Sequence, residues 1–175
     1  MSYGLVLVVL SALAAGCSGS SSEGLSELRR PGAPQTYRLG ESFDGLPLET
    51  TDAGTGRPDL IYGTCEAGSD SGCAPPLELQ QWALLERPPT AFEAAPGRPA
   101  ACRRVAAGGI TAARFATTGG VEVYLGERVV VVFTGPERLG KVLAELRPVQ
   151  DQDPALPPPP AWVARALERC KPPLS

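Results

Sequence analysis

Histidine is absent from this chain of 175 residues, methionine occurs once, and aromatic residues make up only 6%. Without imidazole, Ser-His-Asp and Cys-His nucleophile systems are excluded, as are imidazole zinc sites and histidine pH switches. Lysine is almost as scarce: Lys141 and Lys171 are the only two, and neither has a serine at a spacing suggestive of a Ser-Lys pair. No C-x-x-C spacing occurs, so a cysteine-held metal is disfavoured. Excess positive charge is missing as well. The net charge of −3 argues against nucleic acid, whose phosphates demand a basic face. What remains is 43% apolar and 20% charged residues, enough for one packed domain at this length. The 20 glycines and 19 prolines imply irregular tails around a compact centre.

Leu5 to Ala15 form an apolar run of about 11 residues, where about 20 are needed to span a bilayer. The run suits the central region of an export signal. The segment that follows it, Leu13-Ala14-Ala15-Gly16-Cys17, resembles the lipobox of bacterial lipoproteins. That resemblance implies lipid attachment at Cys17, cleavage before it, and an extracytoplasmic chain anchored to the cell membrane by N-terminal lipid. Ordinary cleavage after Ala12-Leu13-Ala14 is the competing reading. The cysteines are Cys17, Cys65, Cys73, Cys102 and Cys170, an odd number. With Cys17 lipidated, the other four can pair completely, and three connectivities are open. Cys65 and Cys73 flank a flexible Gly/Ser segment whose ends meet easily, which leaves Cys102 with Cys170.

The chain divides into a signal peptide (1–16), a lipidated N-terminus and flexible tether (17–35), a folded domain (36–148), a Pro-rich spacer (149–160) and a C-terminal helix with its tail (161–175). Within the domain, Thr36–Leu39 and Asp59–Tyr62 read as strands, and residues 40–56 as an acidic, turn-rich stretch. Leu77–Glu86 fits strand or helix, and the strand is preferred. Ala101–Ala106, Gly109–Thr117 and Val121–Leu125 also read as strands. Gly126-Glu127 is a two-residue hairpin loop of type II′ chemistry. Val129–Phe133 is apolar on both faces and β-branched, so it belongs at the sheet centre. Thr134 is placed to cap a helix, with Pro136 in its first turn and Glu137 as the capping-box acid. Leu139, Val142, Leu143 and Leu146 then form one apolar stripe. Trp162, Val163, Ala166, Leu167 and Cys170 share a side of a final short helix. The expected fold is α+β: a mostly antiparallel sheet with one packed helix and a short, disulfide-pinned C-terminal helix.

Chemistry without histidine would fall to carboxylates or to oxygen-held metal. Glu41 with Asp44, or Glu49 with Asp52, could form a hydrolytic pair, although an acidic solvated loop is the plainer reading. Glu66 and Asp70 offer oxygens to calcium but lack the spacing of a calcium loop. Arg103, Arg104 and Arg128 could attract an anion or lipid head groups, against an ordinary role as solvated surface arginines. Trp82 and Tyr62 could line a pocket, against ordinary core packing. No catalytic residue, metal site or cofactor is assigned. The expected function is a non-catalytic ligand- or protein-binding module of the cell envelope. Its partners are the membrane, through the lipid anchor, and an envelope protein or small ligand, with nucleic acid excluded. The alternative is a carboxylate-based hydrolase acting on cell-wall or glycan substrate.

Overall fold

The computed structural model describes residues 21–52, 57–64, 74–88, 102–105, 110–115, 119–150 and 155–172. Cys17, Cys65, Cys73, Glu66 and Asp70 lie outside the described residues, and with them the expected lipid site, one expected disulfide and the calcium candidates. The described elements, in chain order, are α1 (Ser21–Leu28), β1 (Tyr37–Arg38), β2 (Ser42–Phe43), β3 (Leu46–Asp52), β4 (Asp59–Tyr62), β5 (Leu77–Ala83), β6 (Cys102–Arg104), β7 (Ala112–Phe115), β8 (Val121–Leu125), β9 (Arg128–Thr134), α2 (Pro136–Glu145), β10 (Arg147–Pro148) and α3 (Ala161–Leu167). The architecture is α+β with an antiparallel sheet, as the sequence implies.

Eight strands form one sheet in the order β2-β3-β4-β5-β9-β8-β7-β6. Two antiparallel meanders, β2 to β5 and β6 to β9, meet where β5 pairs β9 from Leu77↔Thr134 to Ala83↔Arg128. Leu77–Ala83 is therefore a strand. The valine run of β9 lies inside the sheet, and Val129 to Val132 are each at most 1% exposed. The β8–β9 hairpin closes with Leu125 opposite Arg128. Only the first loop residue, Gly126, has positive φ (55°), as a type II′ turn requires.

The sheet reaches eight strands because residues 40–56, read from the sequence as turn-rich, are not simply turns. Asp44 and Gly45 both have positive φ (50° and 81°), the conformation of a type I′ turn, and they set Phe43 opposite Leu46. The chain then continues as β3, seven residues long, against β4.

Both faces are covered. On one, Leu60, Tyr62, Leu77, Leu79, Val130 and Val132 pack against Val142, Leu143 and Leu146 at α2. On the other, Tyr124, Val129 and Val131 pack against Val163 and Leu167 of α3. The Cys102–Cys170 disulfide is present, with Cα atoms 5.0 Å apart, and it ties the turn after α3 to β6. Lys171 extends this tie: its carbonyl accepts from Arg104 N–H at 2.8 Å, and its N–H donates to Cys102 O at 3.1 Å. Trp162 departs from expectation. It is 41% exposed, because the buried stripe runs 163, 166, 167 and 170 and leaves position 162 to one side.

Two further expectations need correction. Helix α2 is not capped by Thr134. Gly135 is the cap residue and makes no side-chain bond, while the Thr134 hydroxyl donates to Pro76 O at 3.3 Å. Glu137 reaches the Arg138 guanidinium instead of closing a capping box. Nor is the stretch 18–35 a tether throughout. From Ser21 it forms α1, which buries Leu25 and Leu28. Two leucines three residues apart suffice because a wall already exists: a Cβ at Gly24 would lie 2.6 Å from Thr51 O, so glycine permits the helix to lie directly on β3. Tertiary packing supplies what an eight-residue helix lacks by itself.

Strand β1 lies off the main sheet. It pairs with β10, Tyr37 opposite Pro148. Its backbone is also held by side chains rising from the sheet. Gln81, fully buried, accepts from Tyr37 N–H (2.7 Å) and donates to Tyr37 O (2.8 Å), so a side-chain amide stands in for a neighbouring strand. The Tyr62 hydroxyl accepts from Leu39 N–H at 3.1 Å and donates to Gly40 O at 3.2 Å.

Two stability outcomes follow from this packing. Gln81→Leu leaves a buried peptide N–H and C=O unpaired and is expected to cost about 2–5 kcal/mol in chemical denaturation; a loss within error would mean water or another group replaces the amide. Cys170→Ser opens a loop of sequence separation 68 and is expected to cost about 4 kcal/mol on chain-entropy grounds. Limited proteolysis of that variant should then cut first around α3.

Candidate functional site

A cavity of about 760 Å³ lies at the end of the sheet that carries the β8–β9 hairpin. Strand geometry sets its floor. Ala83 and Leu125, the last residues of β5 and β8, each pair with Arg128, the first residue of β9. Period-two alternation puts Arg128 on the same face as Val130 and Val132. Tyr37, fixed by Gln81, closes the inner side, with Pro34 and Gln35 beside it. The opposite wall is the segment Ala155–Pro158, which crosses the hairpin. Gly126 N–H donates to Pro158 O at 3.2 Å, and a Cβ at Gly126 would touch Pro157 at 3.5 Å.

Arg128 is the unusual member. It is only 9% exposed, and its Nε and Nη2 have no hydrogen-bond acceptor among the described residues. Burial draws the pKa of its guanidinium down, and the Glu86 carboxylate acts against this from a distance. Glu86 itself is bonded elsewhere, to Arg57 Nε at 3.2 Å. An ionised group in this position loses hydration without regaining hydrogen bonds, which is costly. The plain surface-arginine reading is therefore wrong for Arg128.

The other arginines have different surroundings. Arg103 donates to Pro172 O at 3.0 Å, and exposed Arg104 lies beside a smaller cleft of about 220 Å³ between β7 and α3. Neither approaches the Arg128 cavity lining. Tyr62 is core, fully buried. Trp82 is on the opposite sheet face from Arg128, flanked by the guanidinium carbons of Arg57 at 4.4 Å and Arg87 at 5.4 Å from its ring centre. Arg87 in turn pairs at 3.0 Å with Glu122, which is fully buried and also accepts from the Tyr124 hydroxyl. Glu122 is thereby paired, whereas the buried Trp82 indole N–H has no acceptor among the described residues.

The proposed carboxylate pairs separate. Asp44 is held by Lys141 at 2.8 Å and by Arg138 at 3.5 Å, joining the β2–β3 turn to α2. The Lys141 ammonium keeps its carboxyl below the usual range. Glu41 and Glu49 are exposed. Asp52 is drawn into a different group: it faces Asp59 across β3–β4, and Glu78 lies near. Burial, with Glu78 and Asp52 adding their charge, pushes Asp59 up to about 6. None of these carboxylates lines the Arg128 cavity.

Among the described residues, no three metal-ligating side chains of His, Cys, Asp or Glu gather, and no helix is long and apolar enough to cross a membrane. No protein family, curated protein or solved structure matches the chain.

Asp59 makes a pH prediction. The folded chain keeps its proton up to about pH 6, whereas the unfolded chain releases it near 3.8. The native state thus binds more protons in that window, and stability falls as pH rises through it. Asp59→Asn is expected to raise the denaturation midpoint at neutral pH and to give no such gain below the unfolded value. Equal gains at both pH values would show that the carboxylate is not the cause.

Proposed function

We propose that the chain is a membrane-tethered, extracytoplasmic binding module of the cell envelope, non-catalytic, taking a small ligand in the Arg128 cavity. The observation that carries this reading is the cavity itself. Its volume of about 760 Å³ falls in the range of small-molecule sites, and its lining is mainly apolar with a few convergent polar groups. The lipobox-like Leu13–Cys17 supports the tether, and the Cys102–Cys170 disulfide fits an oxidising compartment. Because α1 starts at Ser21, a lipid on Cys17 would hold the domain within about 15 Å of the membrane surface.

The competing reading, carboxylate hydrolysis, is favoured by one observation. Asp52, Asp59 and Glu78 share a sheet face, and the proton affinity of Asp59 is raised. Those groups stand on the side of the sheet away from the cavity.

The test is complementation of a deletion phenotype. Leu156→Trp fills the cavity from the Ala155–Pro158 wall. It is expected to abolish complementation while the protein stays folded and membrane-associated. Asp52→Asn, Asp59→Asn and Glu78→Gln should each complement. Full activity of Leu156→Trp would remove the cavity from the function, and failure of a folded carboxylate variant would favour hydrolysis. Intact mass of the mature N-terminus checks the tether, with a diacylated Cys17 expected.

A further inference from the structure

We infer that the β6 edge of the sheet is a membrane-contact surface, where a row of cations, Lys171, Arg103 and Arg114, rests on anionic phospholipid head groups. The choice of a bilayer as partner rests on the reading of the chain as membrane-tethered.

Strand register brings the row together. Arg103 of β6 stands directly opposite Arg114 of β7. On its other side Arg103 bridges Lys171 in parallel, fixed by Arg104 N–H donating to Lys171 O at 2.8 Å and Lys171 N–H donating to Cys102 O at 3.1 Å. Directly opposed residues share a face about 5 Å apart, so three positive side chains follow one another over about 10 Å. Arg114 and Lys171 are exposed, and Arg103 is half-buried. Among the described residues none of the three makes an ion pair, and the Arg103 side chain donates to Pro172 O at 3.0 Å.

Like charges placed directly opposite repel and lower stability. Elsewhere the fold gives such cations something to meet. Asp44 lies between Lys141 and Arg138, and Glu122 holds Arg87. Arg147, which also faces an arginine, Arg38, donates to Ala144 O and Leu146 O at the end of α2. The chain as a whole carries a net charge of −3, so a cation row without acids does not follow from composition.

Two observations favour a bilayer as the partner. The first is shape. The three cations stand in a line at a sheet edge, and none of them lines either cavity described above. Small ligands are held by groups converging in a concavity. A line of separate charges suits an extended anionic surface, where each side chain meets its own head group. The second is placement. Helix α1, next to the tether, packs on β3. Strand β6 is the sixth strand beyond β3, about 29 Å away at ordinary strand spacing. A lipid on Cys17 holds one end of the sheet, and the cations supply a second contact at the other, laying the sheet along the membrane.

Co-sedimentation with vesicles tests this, using the chain from Ser18, which carries no lipid and keeps every described element. The vesicles are phosphatidylcholine alone, or phosphatidylcholine and phosphatidylglycerol in equal parts. Binding is expected to the mixed vesicles, weakening as salt rises, and not to the neutral ones. A cation beside an anionic surface changes partitioning about fivefold, so Arg103→Gln with Arg114→Gln should bind about 25-fold more weakly. That variant removes a repulsion and should stay folded. Arg138→Gln with Lys141→Gln removes the same charge from α2, away from the row, and should bind within about twofold of the native chain. Equal binding to both vesicles, or equal losses in the two double variants, would overturn the inference. So would tight binding of soluble polyphosphate by a chain that ignores the mixed vesicles. If Cys17 proves unmodified while the mixed vesicles bind, the tether falls and the surface stands. If Cys17 is diacylated and the mixed vesicles do not bind, the surface falls and the tether stands.

Discussion

The pairing of β5 with β9 is the contact on which the rest of the molecule depends. It alone joins the two meanders into one sheet, from Leu77↔Thr134 to Ala83↔Arg128. Its register also sets which side chains face which layer. Gln81 and Arg128 lie on the α2 side and Trp82 on the α3 side. A slip of one residue would exchange these faces. The amide that holds Tyr37 would leave, an indole would press against β1, and the guanidinium would leave the cavity. The continuous valines of β9 tolerate either face, so they do not fix the register themselves. The polar residues do: Gln81 finds partners only where Tyr37 passes, and Glu122 only where Arg87 and Tyr124 reach it.

Those polar residues form an instructive series. Gln81 and Glu122 are fully buried and bonded; Arg128 is nearly as buried, and its Nε and Nη2 are not bonded, as is also true of Arg38 Nη1 and Trp82 Nε1. Native proteins pair almost all such groups, and exceptions concentrate where a ligand or strain is part of function. The satisfied pair shows that this fold can supply partners deep in its layers. The unsatisfied guanidinium lies instead at the end of the sheet, beside open volume. Its desolvation is a standing cost to the folded chain, carried by one side chain.

How much of this was legible in the sequence differs by element. Strands β4, β5, β8 and β9, helix α2 and the Cys102–Cys170 tie follow from alternation, valine content, the i, i+3, i+4 stripe and cysteine spacing. The hairpin at Asp44-Gly45 had a local signal, an Asp-Gly pair flanked by Phe43 and Leu46, but acidic and glycine-rich surroundings hid it. Helix α1 had almost none, since its stability comes from contact with β3 through Gly24, a partner distant in sequence. The site was half legible. Counting by twos back from Val132 places Arg128 on a buried face. That it opens into a cavity depends on where residues 155–158 cross the hairpin, and nothing local to Arg128 encodes this.

The cavity walls come from the parts of the chain richest in proline, and this composition has a physical consequence. Pro34 stands on one side, Pro157 and Pro158 on the other. Proline restricts its own backbone in the unfolded chain, so ordering these walls costs less entropy than ordering flexible loops of the same length. A wall already ordered also spares a ligand that cost on binding. The two sides are further coupled. Gln150 donates to Leu28 O (2.8 Å) and Pro34 O (2.6 Å) and accepts from Thr36 N–H (3.0 Å), which ties the segment after α1 to the segment leading into residues 155–158. The N-terminal helix and the strand off the main sheet are therefore held together through Gln150. Prolines that the composition assigns to irregular tails instead frame this cavity, and the same Gln150 bridge connects its surroundings to the N-terminal helix.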